Sequence, residues 1–279
     1  MDRSDLKYPV FLSASLPVHP FERPDKDPKY WESRQLLILR EAIRELAVTV
    51  LPHGGLVFGG HPAVNPLILG VADRLDHDYS RKTGKKISSH QHRILVYQSR
   101  HFMKVLPHEI ESFRHVVLTQ AASKSRILFS VQEKESASDR EASLLYMRYR
   151  MIGKQGAPWA TEAFPQAGDL ALERKERFGS DEFQAAFFLG GMNGVEQEFE
   201  IFRAFHPETP IFLLPTTGSA SRFLFNRYRY LYSEEMAKEL ESATTFAALY
   251  DQLLWSSPSW QPDPPFFPKD LPGVALNEE

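Results

Sequence analysis

Residues 184–205 read QAAFFLGGMNGVEQEFEIFRAF, and the interpretation of the fold starts from this stretch. The apolar run at 185–189 is long enough for a buried parallel strand. Gly190, Gly191 and Gly194 follow it, and apolar residues at helical spacing come next. Strand, glycine turn and helix in this order bring backbone N–H groups up to a phosphate, because glycine permits close approach and a helix N-terminus carries unpaired donors.

A plain strand-to-helix turn is the alternative for this stretch, since glycine is common at such turns. The G-x-G-x-x-G spacing of a dinucleotide fingerprint is absent, and so is the Gly-Lys-Ser/Thr ending of a P-loop.

Three further strands are predicted to end in small or polar residues. The strand within residues 8–16 ends in serines, the strand at 55–58 is followed by a second diglycine turn, and the strand at 210–214 is followed by a turn rich in hydroxyl side chains. After the second diglycine turn, the Asn65-Pro66 pair predicts the start of a helix that extends to about residue 75. Ligands of open α/β sheets bind at the carboxyl ends of the strands, so these turns are expected to lie near one another.

The predicted fold class is α/β, with a Rossmann-like open, mainly parallel sheet of at least four strands and helices on both faces. RILVYQ at 93–98 supplies another strand, and 115–119 a short extended piece. Helices are predicted at 30–50 and 139–152, whereas the polar, basic residues 76–91 are predicted to form a solvated connection. We expect one domain over residues 1–254, with an insertion or lid at about 153–183, and a tail rich in proline and aromatic residues at 255–279.

Composition excludes several classes of function. The chain has 279 residues, no cysteine and a formal net charge of −3, so disulfides and thiolate catalysis are excluded and general attraction to nucleic acid is not expected. No apolar run approaches the roughly 18 residues of a membrane span, and the N-terminus lacks a signal-peptide core. The sequence therefore predicts a cytoplasmic protein that binds neither nucleic acid nor membrane, and we expect no metal and no cofactor.

The candidate ligand contacts follow from the turns at the strand ends. His61 would touch the ligand or assist acid–base chemistry, although a lone loop histidine more often does neither. An arginine is expected to balance the phosphate charge, with Arg140, Arg148, Arg150 and Arg222 as candidates and surface ion pairs as the alternative for each. The predicted phosphate- or ligand-binding residues are Ser13, Ser15, Gly59, Gly60, His61, Gly190, Gly191, Met192, Asn193, Gly194, Thr216, Thr217, Gly218 and Arg222.

VFLSAS, LVFGG, FLGGMNGVEQEFE and IFLLPTTGSASR together resemble the SLOG superfamily of Rossmann-like domains. This superfamily includes the lonely-guy phosphoribohydrolases, the Smf-related DNA-processing proteins and the nucleotide-sensing domains found with Sir2 and TIR partners in bacterial conflict systems. The resemblance spans roughly residues 8–222.

The lonely-guy glycine turn reads P-G-G-x-G-T-x-x-E, where the glycines hold a 5′-phosphate and the glutamate assists N-glycosidic cleavage. Gly190, Gly191 and Gly194 match the glycines, and Glu198 matches the glutamate. Leu189 and Val195 replace the proline and threonine, the loop is one residue longer, and the catalytic arginine has no counterpart in the sequence pattern. The turn looks more like that of the conflict-system branch.

The resemblance implies two functions. The first is the sensing of a nucleotide-derived ligand, such as ADP-ribose, cyclic ADP-ribose or an NAD-related compound, in anti-phage defence, through a separate effector protein or homo-oligomerisation. The second is a nucleotide N-glycosidase in which Glu198, or Glu196 as the alternative, acts as acid–base or stabilises an oxocarbenium-like transition state. A solvated acid that complements the helix dipole is the structural alternative for Glu198. A protein-interaction domain with a vestigial pocket is the third hypothesis.

Overall fold

Six parallel strands form the centre of the protein, which we describe from a computed structural model. The described residues are 4–22, 24, 27–85, 93–99, 116–119, 139–156, 170–256 and 260–262. In spatial order the sheet is β4-β3-β2-β1-β5-β6, and each neighbouring pair is parallel. The strands are β1 (Val10–Ser15), β2 (Leu56–Gly59), β3 (Ile94–Ser99), β4 (Val116–Thr119), β5 (Ala185–Gly190) and β6 (Ile211–Leu214).

The described helices surround this sheet. They are α1 (Lys29–Glu32), α2 (Leu36–Val50), α3 (Asn65–Thr83), α4 (Asp139–Ile152), α5 (Leu172–Phe178), α6 (Asn193–Phe205), α7 (Ser219–Tyr228), α8 (Glu234–Ser242) and α9 (Ala247–Trp255). A 3-10 turn, Pro215–Thr217, joins β6 to the segment before α7, and a second one, Arg229–Leu231, follows α7.

The apolar run of β5 is buried on both sides, as a parallel strand covered by helices requires. Phe188 packs edge-on against Phe199 of α6, at 5.4 Å between ring centroids. Its neighbour Phe187 points to the opposite face and meets Tyr250 of α9, at 5.1 Å. The Tyr250 hydroxyl donates a hydrogen bond to the Ala42 carbonyl of α2, so α2 and α9 cover one face and α6 the other. The predicted Rossmann-like α/β fold with helices on both faces is confirmed.

The strand order reverses direction between β1 and β5. After β1 the chain adds β2, β3 and β4 on one side, and β5 and β6 then lie on the other side of β1. Helices that follow strands on the two sides must cover opposite faces, because parallel crossovers are right-handed. The crevice between the carboxyl ends of β1 and β5 is therefore the switch point at which open α/β sheets bind ligands.

Two predicted boundaries were wrong. The helix predicted over 30–50 is divided into α1 and α2, separated by residues 33–35. Helix α3 continues to Thr83, so the polar residues after 75 belong to a solvated helix up to that point and not to a connection. It ends at Gly84, which adopts a left-handed φ of 69° and donates its N–H to the Ser80 carbonyl at 2.9 Å.

Some predictions concern segments beyond the described residues. Residues 157–169 of the expected insertion or lid, and most of the expected tail at 255–279, lie outside them. Among the residues that the structure describes, no helix combines the length and the apolar character needed to cross a membrane.

Candidate functional site

The carboxyl ends of β1 and β5 lie side by side, and this contact defines the switch-point site. Ser15 is in register with Gly190, and Ser13 with Phe188. The predicted serine end of β1 and the predicted glycine turn after β5 are thus brought together. The sheet register alone places the two ends next to each other, although they are far apart in the sequence.

The turn after β5 requires glycine. Gly190 and Gly191 have φ values of 58° and 84°, a left-handed conformation that other residues adopt only with strain. A Cβ on Gly191 would lie 2.2 Å from Cγ2 of Val195 and 3.3 Å from the hydroxyl oxygen of Ser15. The missing Cβ at Gly191 thus makes room for the Val195 side chain and brings the backbone of the turn close to the Ser15 hydroxyl.

Helix α6 begins directly after this turn, without a side-chain cap. Met192 is the N-cap residue in an extended conformation, and its side chain accepts no capping hydrogen bond. The first N–H groups of an α-helix have no partner within the helix and carry a partial positive charge. Asn193, the first helical residue, is exposed. This end of α6 thus offers backbone donors to an anion.

A buried carboxylate lies beneath the glycine turn. Ser13 donates its hydroxyl to Oε2 of Glu198 at 2.6 Å, and Arg148 of α4 donates Nε to Oε1 of Glu198 at 3.2 Å. Arg148 also donates Nη1 to the side-chain oxygen of Gln197 at 2.8 Å. The side chains of Arg148 and Glu198 are 12% and 11% exposed. Both oxygens of Glu198 thus act as hydrogen-bond acceptors.

Arg148 also touches the glycine turn itself. A Cβ added to Gly194 would lie 2.7 Å from Nη2 of Arg148, so the guanidinium group lies directly against the glycine backbone of the first turn of α6. No hydrogen bond of Nη2 is found among the described residues. Of the four candidate arginines, Arg148 is therefore the one that combines the glycine turn with the candidate carboxylate.

The other three arginines have different surroundings. Arg150 pairs with Glu173 of α5. Arg222 donates Nε to the Pro215 carbonyl at 3.4 Å. Arg140 lies in the first turn of α4, two helical turns before Arg148.

The two candidate carboxylates of α6 have different partners. Glu198 faces Ser13 and Arg148, whereas Glu196 lies beside the phenol of Tyr30 in α1. Burial, followed by the charge and the hydrogen bond of Glu196, raises the pKa of Tyr30 above its ordinary value. Glu196 therefore lies toward α1, and Glu198 is the carboxylate that the switch point contains.

Hydroxyl groups in the turn after β6 mainly hold the backbone together. Thr217 accepts the N–H of Gly190 at 2.8 Å and donates to the Leu214 carbonyl at 2.6 Å. Gly218 has a φ of 75°, and a Cβ there would lie 2.1 Å from the Ser33 carbonyl oxygen, so Gly218 serves close packing. Thr216 differs, because its buried hydroxyl has no hydrogen-bond partner among the described residues. Thr216 is thus the hydroxyl of this turn whose hydrogen-bonding capacity the described residues leave unused.

The turn after β2 is neutral. Gly60 donates its N–H to the Tyr97 carbonyl at 2.8 Å, and the space where its Cβ would lie is filled by Oε1 of Gln98, 2.2 Å away. Nδ1 of His61 accepts the N–H of Ala63 at 3.2 Å, which assigns the ring proton to Nε2. Burial lowers the pKa of His61 to about 4, so the ring is an uncharged donor near pH 7.

Sequence reasoning singled out Asn65 only as a helix start. Asn65 is fully buried, its Oδ1 accepts the N–H of His61 at 3.0 Å, and its Nδ2 has no partner among the described residues. Gln197 and Tyr30 were not predicted to take part at all. No sequence signal identifies either of them, because each becomes relevant only through contacts with residues distant in the chain.

Comparison with known proteins identifies the family. The model of the SLOG cluster3 family matches residues 29–162 and 160–254, which together cover most of the 279 residues. No curated protein and no solved structure shows significant similarity to the chain. The two matches include the second diglycine turn, Arg148, the glycine turn after β5 and both candidate glutamates. On this coverage, the chain belongs to the SLOG cluster3 family.

Proposed function

We propose that this protein binds a nucleotide-derived ligand, of the ADP-ribose, cyclic ADP-ribose or NAD-related class, at the switch point between β1 and β5. Membership of the SLOG family suggests a nucleotide-related function. The role in signal sensing and anti-phage defence rests on the resemblance to the conflict-system branch.

The position of Arg148 carries the proposal. Its Nη2 lies against Gly194 in the first turn of α6, where backbone donors and the helix dipole favour an anion. A guanidinium group matches the geometry of phosphate oxygens, and Nη2 of Arg148, which has no hydrogen-bond partner among the described residues, can donate to them. The guanidinium group, the glycine backbone and the N-terminus of α6 thus meet at one place. Phosphate is the group of a nucleotide that can bind to all three.

Glu198 and Ser13 supply the complementary polar contact. In nucleotide-binding α/β sheets, a carboxylate near the switch point accepts hydrogen bonds from ribose hydroxyls. Glu198 is nearly buried and held by Ser13 and Arg148, so its position is fixed before a ligand arrives. A ribose beside the phosphate would reach this carboxylate, whereas a bare phosphate would be repelled by it. This charge arrangement favours a nucleotide over inorganic phosphate.

The same carboxylate supports a second candidate function, N-glycosidic hydrolysis. Cleavage of a base–ribose bond passes through an oxocarbenium-like state, which a preformed negative charge stabilises. Because both oxygens of Glu198 act as acceptors, its role in this reaction would be electrostatic stabilisation and not proton donation.

Binding of a panel of compounds, followed by chromatography of each mixture, tests the proposal. The probes are AMP, ADP-ribose, cyclic ADP-ribose isomers, NAD and ribose 5-phosphate, with binding measured by thermal shift and calorimetry. A ligand that raises the melting temperature and is recovered intact supports sensing. A ligand recovered as free base and ribose phosphate supports hydrolysis, and Glu198→Gln should then abolish turnover. The proposal fails if no probe binds.

Gly194→Ala tests where the phosphate binds. The new methyl group displaces only the end of the flexible Arg148 side chain, so we expect the fold to persist while affinity for phosphate-bearing probes falls about 10- to 100-fold. Gly70→Ala, a helical glycine of α3 with open space around it, is the matched control and should leave affinity unchanged. Equal affinities of the two variants would show that the phosphate does not bind at this turn.

A sensor needs an output, which we propose is self-association or the engagement of a separate effector protein. Light scattering coupled to size-exclusion chromatography, with and without the bound nucleotide, measures the first. A ligand-dependent change in mass supports signalling by assembly, and a constant mass leaves the effector as the output to be tested by co-purification.

A further inference from the structure

A row of rings lies on the segment that follows β1. His19 stacks on Phe21 at 4.9 Å between centroids, and its edge meets Trp31 of α1 at 4.7 Å. The Arg34 guanidinium lies 3.6 Å from the centroid of the Trp31 ring and donates to the Trp31 carbonyl at 2.7 Å. We call these four residues the ring cluster.

Backbone contacts fix the geometry of this cluster. Nδ1 of His19 accepts the N–H of Phe21 at 3.2 Å, and the His19 carbonyl accepts the N–H of Glu22 at 2.9 Å. These bonds form a tight turn that places one ring above the other. The stacking is therefore imposed by the local chain and not by burial in the core.

The ring cluster is carried by the segment that leaves β1 at the switch point and by helix α1. His19 is four residues beyond Ser15, the last residue of β1. The Tyr30 carbonyl, next to Trp31, accepts the hydroxyl of Ser219 at 2.8 Å, and the Tyr30 phenol lies beside Glu196 of α6. Helix α1 is thus anchored to the segments that follow β5 and β6.

Phe21 is unusual in being 92% exposed while its ring is held in a fixed stack. Burying a phenylalanine ring is favourable, so an ordered but uncovered ring offers a surface for a flat apolar partner. Its neighbours are an imidazole, an indole and a guanidinium, and planar groups of this kind stack on nucleobases.

We propose that the ring cluster stacks the nucleobase of the nucleotide whose phosphate binds at Gly190–Gly194. This inference rests on the proposed function and assigns a base site to it. The cluster presents ring faces, and stacking on a face distinguishes bases by area more than by their hydrogen-bonding edges. We therefore expect purine nucleotides to bind more tightly than pyrimidine nucleotides.

The test compares an adenine nucleotide with ribose 5-phosphate, which lacks the base, in calorimetry with the full chain. The nucleotide is the tightest-binding one among AMP, ADP-ribose and cyclic ADP-ribose. Phe21→Ala should weaken it about 5- to 100-fold and leave ribose 5-phosphate unchanged, while Phe21→Tyr should keep wild-type affinity. Tyr79→Ala, an exposed aromatic residue on α3, is the control and should have no effect.

Intrinsic fluorescence adds a second measurement. A base stacked on the ring cluster should quench the emission of Trp31, and Trp31→Phe should remove this part of the quenching. Phe21 is so exposed that its substitution should leave the melting temperature unchanged, which separates a binding effect from misfolding.

Three outcomes would overturn the inference in distinguishable ways. If no probe binds to the wild type, the proposed function fails and the base site fails with it. If the adenine nucleotide and ribose 5-phosphate bind equally, or Phe21→Ala leaves their ratio unchanged, the base lies elsewhere and the phosphate site stands. If Phe21→Ala instead dissociates an oligomer without changing affinity, the ring is covered by a second copy of the chain.

Discussion

The turns after β5 and β2 share the order strand, two glycines and helix, yet the structure makes them different. After β5, both Gly190 and Gly191 are left-handed, and an arginine–carboxylate pair lies against the turn. After β2, neither glycine has a positive φ, and the space beside Gly60 is filled by the Gln98 side chain. The first turn is left-handed and lies beside a charged pair, whereas the second has no left-handed glycine and packs against a neutral amide.

This difference shows that two glycines before a helix do not by themselves make an anion site. At both Gly60 and Gly191 the missing Cβ makes room for a protein side chain, but only at Gly191 does it also permit a left-handed backbone conformation. A left-handed glycine can turn successive backbone N–H groups toward one side, which is the arrangement that binds anions. Four comparisons between pairs of variants test the contrast.

The largest effect is expected from Arg148→Met, which leaves the nearly buried Glu198 without its cation. An unpaired buried charge destabilises by roughly 3–5 kcal/mol, so the free energy of unfolding in urea should fall by about that amount. Arg44→Met, which breaks an exposed pair with Glu41, should cost less than about 1 kcal/mol. Equal losses in the two variants would mean that the charge at the β5 turn is solvated.

Gly191→Ala should destabilise the protein more than Gly60→Ala. Each added Cβ would approach a side-chain atom at 2.2 Å, but Gly191 also carries a φ of 84° and its obstacle, Val195, is a stiff β-branched residue. We expect a loss of about 2–3 kcal/mol at Gly191 and roughly 1 kcal/mol at Gly60, where the end of Gln98 moves aside. Chemical denaturation measures both, and the reverse order would contradict the assigned turn geometries.

The neutral character of the β2 turn predicts a pH dependence. Burial holds the pKa of His61 at about 4 in the folded protein, against an ordinary value of 6.5. Between these values the unfolded chain binds more protons, so stability falls as pH drops from about 6.5 to about 4, by roughly 1–3 kcal/mol.

Unfolding of wild type and His61→Asn across this pH range isolates the His61 contribution. Asparagine keeps an acceptor for the Ala63 N–H but does not titrate, so the variant should show a shallower slope. His77→Asn, at an exposed position on α3, should retain the wild-type slope. Parallel slopes for all three proteins would contradict a neutral His61.

The smallest effect is expected in the two helices that follow the turns. Gly70→Ala in α3 meets open space and should stabilise the protein by about 0.5–1 kcal/mol through helix propensity. Gly194→Ala in α6 meets Arg148, so the same propensity gain should be cancelled. The melting temperatures of the two variants test this expectation. An equal gain in stability at both positions would mean that Arg148 does not lie on the turn.

Most of the fold could be predicted from local pattern. The apolar runs predicted five of the strands and the extended piece at 115–119 predicted the sixth, because parallel strands buried on both faces must be continuously apolar. The end of α3 was missed, since its last turns are polar and gain nothing from the core. Gly84, in the left-handed conformation at its end, is the signal that marks the true boundary.

The candidate site was predicted only in part. The glycine turn, Ser13 and Glu198 were identified from the sequence, but Arg148 could not be chosen from four arginines. Thr217 was predicted to contact a ligand, and the structure gives its hydroxyl two backbone partners. A hydroxyl satisfies whichever backbone group lies nearest, and sequence does not say which group that is.

The sequence by itself determined the strands, the glycine positions and the acidic first turns of α6, because these depend on periodicity and on local backbone preference. The tertiary structure alone decided which charges meet. Arg148 and Glu198 are 50 positions apart, and the sheet order that brings α4 against α6 is what joins them. Local rules act over a few residues, whereas the distance between two buried charges depends on how the whole sheet is wound.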